Sequence, residues 1–177
     1  MKRIFLLVVC VSAFALASNA QDGNGYDRGI GIRLSSGYYD LASVSYKTFI
    51  STHGALELNL GIRPHDYGDV KWATLAFSAA YQHHFPIKPV PGLQWYIGGG
   101  VSAYNSFSNK DYYRGFGLGL FPTGGVDYKF GNIPLNVSAD FRPTFGLIDP
   151  YDGPDYGGWK YRSVDGGNVG VSARYTF

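Results

Sequence analysis

Thiols, charge and long apolar runs are all scarce in this sequence. One cysteine, Cys10, occurs in 177 residues. It falls inside a segment expected to be removed on export, so the mature chain is expected to carry no disulfide and no cysteine-held metal. Charged residues make up 16%, against about 25% in ordinary soluble domains. The longest apolar stretch, residues 4–17, is shorter than the roughly 18 residues a membrane-spanning helix needs. Lys2 and Arg3 before it and Ser18-Asn19-Ala20 after it give it the layout of a secretory signal. We therefore expect residues 1–20 to be cleaved near Ala20 and residues 21–177 to form one exported domain. Removing Lys2 and Arg3 from the 15 bases leaves as many bases as the 13 acids. The basic character of the full chain then offers no argument for nucleic-acid binding.

Glycine and aromatic rings are plentiful instead: 25 glycines, and 17% aromatic residues. Past residue 20 no helical period is sustained. Alternation of apolar and polar residues, broken by turn residues, recurs in eight segments: 29–36, 41–50, 55–63, 72–85, 93–104, 115–130, 134–146 and 168–177. In the third, Leu56, Leu58, Leu60 and Ile62 share one face, opposite Glu57, Asn59, Gly61 and Arg63. In the first, Ile30, Ile32 and Leu34 oppose Gly31, Arg33 and Ser35. In the last, Val169, Val171, Ala173, Tyr175 and Phe177 oppose Asn168, Gly170, Ser172, Arg174 and Thr176.

Such a pattern fits a soluble sandwich or barrel as well as a membrane barrel. The polar faces decide between them, because they are stocked with Gly, Ser, Asn and Thr rather than with Lys and Glu. Small residues suit a crowded interior. The charges on that face come in both signs: Arg33, Lys47, Arg63, Lys129, Arg142 and Arg174 against Glu57, Asp127 and Asp140. Confined together, they could pair and so tolerate burial. An apolar exterior around a polar interior belongs in a membrane. The expected fold is all-β: an eight-stranded antiparallel up-and-down transmembrane barrel behind a signal peptide.

Connection lengths agree with this reading. One end has short links, 50–54, 86–92 and 131–133; the other has 37–40, 64–71, 105–114 and 147–167. Outer-membrane barrels keep short turns on the periplasmic side and long loops outside. Rings then gather at two heights. Phe49, Tyr81, Phe85, Trp95, Tyr128, Phe130, Tyr175 and Phe177 would form the periplasmic girdle. Tyr38, Tyr39, Tyr67, Trp72, Tyr104, Phe107, Tyr112, Tyr113, Phe116 and Phe145 would gather near the outer end. Pro122 and Pro143 cannot donate to a ladder, and bulges are expected at both.

With this pattern the chain resembles the small eight-stranded outer-membrane barrels of the OmpA/OmpX type. The most specific element is the final strand, with Phe177 last and Val169, Val171, Ala173 and Tyr175 at alternate positions before it. The resemblance implies that these five residues are the signal read by the barrel assembly machinery. It also implies surroundings of outer-membrane lipid and lipopolysaccharide, and a monomeric barrel in the cell outer membrane. The stretch GNIPLNVSADFRPTF is similar to the penultimate strand of short barrels of the Bacteroidetes type. A periplasmic peptidoglycan-binding domain is not expected.

Chemistry-bearing clusters are sparse. His83 and His84, adjacent on a strand, should face opposite ways and so cannot share a metal; no metal or cofactor is expected. His65, Asp66 and Asp69 in one outer loop and Ser106 and Ser108 in the next suggest an acyl-transfer or lipid-modifying rim enzyme only as an alternative, without a motif. The longest outer loop carries Tyr151, Tyr156, Trp159 and Tyr161 among the acids Asp149, Asp152, Asp155 and Asp165, a surface suited to contact with a partner, such as another outer-membrane protein. A small passive pore is the remaining alternative. Eight strands leave an interior that side chains fill, so a closed barrel is expected.

Overall fold

The computed structural model describes residues 25–68, 70–108, 114–148 and 164–177. The signal segment, Asp69, Tyr112, Tyr113 and the loop residues Tyr151, Tyr156, Trp159 and Tyr161 lie outside the described residues. The described residues form ten strands: β1 (Arg28–Ser35), β2 (Ala42–Phe49), β3 (Gly54–Tyr67), β4 (Val70–Pro86), β5 (Leu93–Ser108), β6 (Gly115–Lys129), β7 (Leu135–Phe141), β8 (Thr144–Ile148), β9 (Val164–Asp165) and β10 (Val169–Thr176). β7 and β8 are halves of the seventh barrel strand, while β9 and β10 belong to the eighth. Every pairing is antiparallel, β5 joins β6, and β1 joins β10 from Gly29↔Thr176 to Ser35↔Gly170. The wall is an eight-stranded closed barrel.

Period-two alternation sorts the side chains as the sequence suggests. Ile32, Val44, Leu60, Phe77, Val101 and Val171 stand exposed on the outer surface. Arg33, Ser45, Asn59, Ser102 and Ser172, one residue along from five of them, are buried inside. An apolar exterior of this extent would drive association in water, whereas hydrocarbon leaves it unpenalised.

The outer connections differ from expectation: β5 runs on to Ser108, β8 to Ile148, and β9 lies within the expected last loop. The largest difference is in the β3–β4 hairpin. Residues 64–71 are not a loop: β3 and β4 stay paired up to Tyr67↔Val70, with Gly68 in the left-handed region at φ 61°. The strand signal is lost there because the outward face turns polar at Asp66 and Lys71, above the height at which it must meet lipid. Asp66 and Lys71, directly opposed, form an exposed ion pair at 3.0 Å. At the other end the turns are tight. Gly92, at φ 83°, lies so close to the Lys129 carbonyl that a Cβ would collide with it. Its own carbonyl accepts the Lys129 N–H at 2.8 Å.

The rings obey the girdle pattern in part. Tyr81, Trp95, Tyr175 and Phe177 are exposed outward, Phe85 stacks on Trp95 at 4.3 Å, and Tyr128 meets Phe130 edge-on. Phe49 does not belong to the girdle: it is 1% exposed and packs edge-on against Tyr26 at 5.2 Å in the barrel floor. Near the outer end Phe107, Phe116 and Phe145 face out, but Tyr39 and Tyr104 turn inward and stack on each other at 4.0 Å.

The bulges expected at Pro122 and Pro143 are also corrected. The ladder between β6 and the seventh strand runs to Gly124↔Phe141, stops, and resumes at Leu120↔Phe145 in the same register. That register sets Pro122 opposite Pro143, so no extra residue is needed to accommodate either ring. The register shift lies further on, between Leu118 and Gly119.

Candidate functional site: the charged interior

The inward positions of four strands converge on one carboxylate. Glu57, on β3, is fully buried and has its charge met from two sides. Arg142 Nη2 donates to its Oε1 at 2.6 Å, and Arg174 Nη2 lies 3.1 Å from Oε2. Gln82 donates to Oε2 at 2.7 Å and Asn59 to Oε1 at 3.0 Å. Two guanidiniums and two amides thus fill the acceptor capacity of one carboxylate, the condition under which a buried ion is tolerated.

Above this centre, towards the outer end, Asp140 is shared by two arginines. Arg33 donates to it through Nε at 3.1 Å and Nη2 at 2.6 Å, the bidentate fork that suits guanidinium and carboxylate. Arg142 Nε lies 2.8 Å from the same carboxylate. Arg33 also donates to Asp40 at 3.0 Å and to Asn168 at 3.3 Å, which ties the first outer loop to the last strand. A Cβ at Gly170 would run into the Arg33 guanidinium, so a side chain there would displace the fork from Asp140.

Below the centre, Lys47 and Asn136 both donate to Asp127, and the Tyr26 hydroxyl reaches the same carboxylate at 3.3 Å. Burial, and then the Asp127 charge, hold the Tyr26 phenol well above its ordinary pKa. Arg174 links floor to centre by donating to Ser45 at 2.9 Å, Ser138 at 2.8 Å and Asn136 at 3.3 Å. Lys47 lies 4.9 Å from the Tyr96 ring centroid, and the floor is completed by Phe49 and His84. The network links the bases Arg33, Lys47, Arg142 and Arg174 with the acids Asp40, Glu57, Asp127 and Asp140. It is therefore electrically balanced.

Seven of the nine interior charges expected from sequence are brought together in this network. The other two sit at the rims. Arg63 donates to the Gly37 carbonyl at 2.5 Å, and Lys129 to the Phe130 and Ile133 carbonyls at 2.5 and 2.9 Å. Asp40 was missed because it lies in a loop, outside any alternating pattern. Tyr26, Asn136 and Ser138 carry no charge to single them out. The residues of the last strand are placed as expected: Val169, Val171, Tyr175 and Phe177 are exposed outward, and Arg174 is turned in.

Among the described residues the rim cluster is not assembled as an acyl-transfer site would need. Ser106 is buried and bonded to Thr74 at 2.9 Å, while His65 stacks on Trp72 at 4.6 Å. In the register, Trp72 stands between His65 and Ser108. His84 points inward and is fully buried; His83 faces the other way, edge-on to Phe85. Among the described residues no three potential metal ligands cluster.

Neither family models nor curated protein sequences give a match to this chain. Solved structures do. The N-terminal β-barrel domain of Pseudomonas aeruginosa OprF aligns over 89% of this chain and 100% of that domain, with a TM-score of 0.56 and 20% identity. The chain has the fold of a small outer-membrane barrel. Neisserial surface protein A also aligns, over 89% of this chain and 100% of its own, with a TM-score of 0.47 and 14% identity. At such identities the likeness is one of fold, and the interior just described is read from this barrel's own residues.

Proposed function

We propose that this outer-membrane-type barrel is an integral protein of the outer membrane that serves as a structural and interaction element of the envelope. Its lumen is closed by its charges, and its outer loops make the contacts. The observation that carries the reading is Glu57 held between Arg142 and Arg174. Side chains from opposite sides of the wall meet at that layer, which supports a lumen closed to water. The apolar exterior supports residence in lipid, next to outer-membrane lipid and lipopolysaccharide, and the alternation ending at Phe177 supports delivery by the barrel assembly machinery. Tyr151, Tyr156, Trp159 and Tyr161 are the loop residues we assign to a partner, which could be another outer-membrane protein. Catalysis is not part of the proposal; Ser106 and His65 are each engaged elsewhere.

Planar-bilayer recording of the pure refolded barrel tests the closed lumen. No steady conductance is expected, and reproducible single-channel steps would contradict it. The contact role is tested by affinity capture of the tagged barrel from native membranes. Recovery of a stoichiometric partner, lost on replacing Tyr156 and Trp159 with alanine, is expected; capture unaffected by that change would remove the loop from the proposal.

A further inference from the structure

The wall of this barrel is not uniform. The pairings β1–β2, β2–β3, β3–β4, β4–β5, β5–β6 and β10–β1 each run without interruption. The ladder between the seventh and eighth strands breaks beside Pro143, between Val169↔Phe141 and Thr144↔Asp165, but there the Arg142 N–H still donates to the Asn168 carbonyl at 2.8 Å. Between β6 and the seventh strand the ladder stops at Gly124↔Phe141 and resumes at Leu120↔Phe145. The gap is centred on Pro122 and Pro143.

Backbone N–H groups alternate sides along an antiparallel strand. Lys129 donates to Gly92 on the β5 side, so the nitrogen of Pro122, an odd number of residues away, is turned towards the seventh strand. Arg142 donates to Asn168 on the β10 side, so the nitrogen of Pro143, the next residue, is turned towards β6. Each proline therefore presents its missing donor to the other. The position should hold a reciprocal pair of ladder bonds and can hold neither. On a lipid-facing wall no water replaces them from outside.

The gap is backed by space. Phe121, Arg142 and Thr144, the inward neighbours of the two prolines, line the cavity at the outer half of the interior. Thr123 Oγ1, on the other side of Pro122, is buried without a hydrogen-bond partner among the described residues. Across the gap the two strands meet on the inside through Arg142 stacked over the Phe121 ring at 5.7 Å.

We propose that the junction of β6 with β7 and β8 is a lateral seam, where paired prolines let the wall part between the interior cavity and the lipid ahead of the uninterrupted strand pairs. Opening is sideways and above the Glu57 layer, so it is independent of conduction across the membrane. The seam exposes the amides that flank it to water held in the cavity.

Residue-resolved hydrogen exchange on the full barrel in lipid nanodiscs tests this. The amides of Leu120, Gly124, Phe141 and Phe145 are expected to exchange roughly tenfold or more faster than β1–β10 amides at the same height, because local opening governs exchange. In the double variant Pro122→Val with Pro143→Val, which restores both donors, the four amides are expected to slow to the β1–β10 rate. Equal protection of the two strand pairs in the wild-type barrel overturns the proposal, as does absence of exchange at the four amides. Unchanged rates in a folded double variant overturn it too. The wild-type comparison decides the matter if the variant does not fold.

Discussion

Replacing Glu57 with alanine is expected to destabilise the barrel by about 3–5 kcal/mol, the usual cost of breaking a buried ion pair by removing one partner. Among the described residues the carboxylate is the one acidic group that Arg174 contacts, and it shares Arg142 with Asp140. Its loss leaves the Arg174 guanidinium on serine and asparagine side chains, with a full charge uncompensated in the middle of the lumen. Urea-driven unfolding in lipid vesicles, followed by tryptophan fluorescence, would read the change as a lower midpoint. Removing both signs together should be milder. In Glu57→Leu combined with Arg174→Met, Arg142 retains Asp140, and an apolar pair fills the vacated volume. A double variant as unstable as the alanine variant, or an alanine variant with the wild-type midpoint, would show that the central carboxylate is not the hub of the interior.

Arginine at Leu60 is expected to cost about 2–4 kcal/mol, because the outward face at that depth lies in hydrocarbon. Leu60 is 53% exposed and sits opposite Phe77 and Val44, both also exposed. In a barrel standing in water such a change would be close to neutral. The size of the effect should depend on depth. Arginine at Phe85, at the periplasmic end of β4, is expected to cost no more than about 1 kcal/mol, since its guanidinium can reach the interface. The same vesicle unfolding measurement ranks the two variants. Equal costs, or none, would argue against a membrane position for this belt.

The barrel was legible in the sequence wherever one face had to be apolar and the other polar. Leu56 to Ile62 and Val169 to Phe177 show this: each alternate residue carries a different solvent requirement, and the structure orients them accordingly. Legibility failed where that requirement lapses. The β3–β4 hairpin continues through His65 and Asp66, where the outward face turns polar and no alternation remains to mark a strand. The inward turn of Phe49 could not be read from its ring, because an aromatic at a strand end packs equally well on the floor or in the girdle; its contact with Tyr26 decides it. The proline pair was visible as two breaks, but their opposition depends on register, which no single strand encodes. Pairing among the interior charges was foreseeable in kind, since ions of both signs confined in a narrow space must compensate one another. Which arginine meets which acid depends on barrel closure.

The most direct test is collision accessibility of a nitroxide placed by cysteine substitution at Ile32, Leu60, Val101 or Val171, one site at a time, in the refolded barrel in lipid bilayers. If these residues form the lipid-facing belt of a transmembrane barrel, each label should collide readily with dissolved oxygen and hardly at all with a water-soluble nickel chelate, with the oxygen preference greatest at mid-depth. Labels at all four sites that meet the nickel chelate as freely as a label at the exposed Lys71 would mean that the apolar face stands in water, and that the chain is not a membrane barrel.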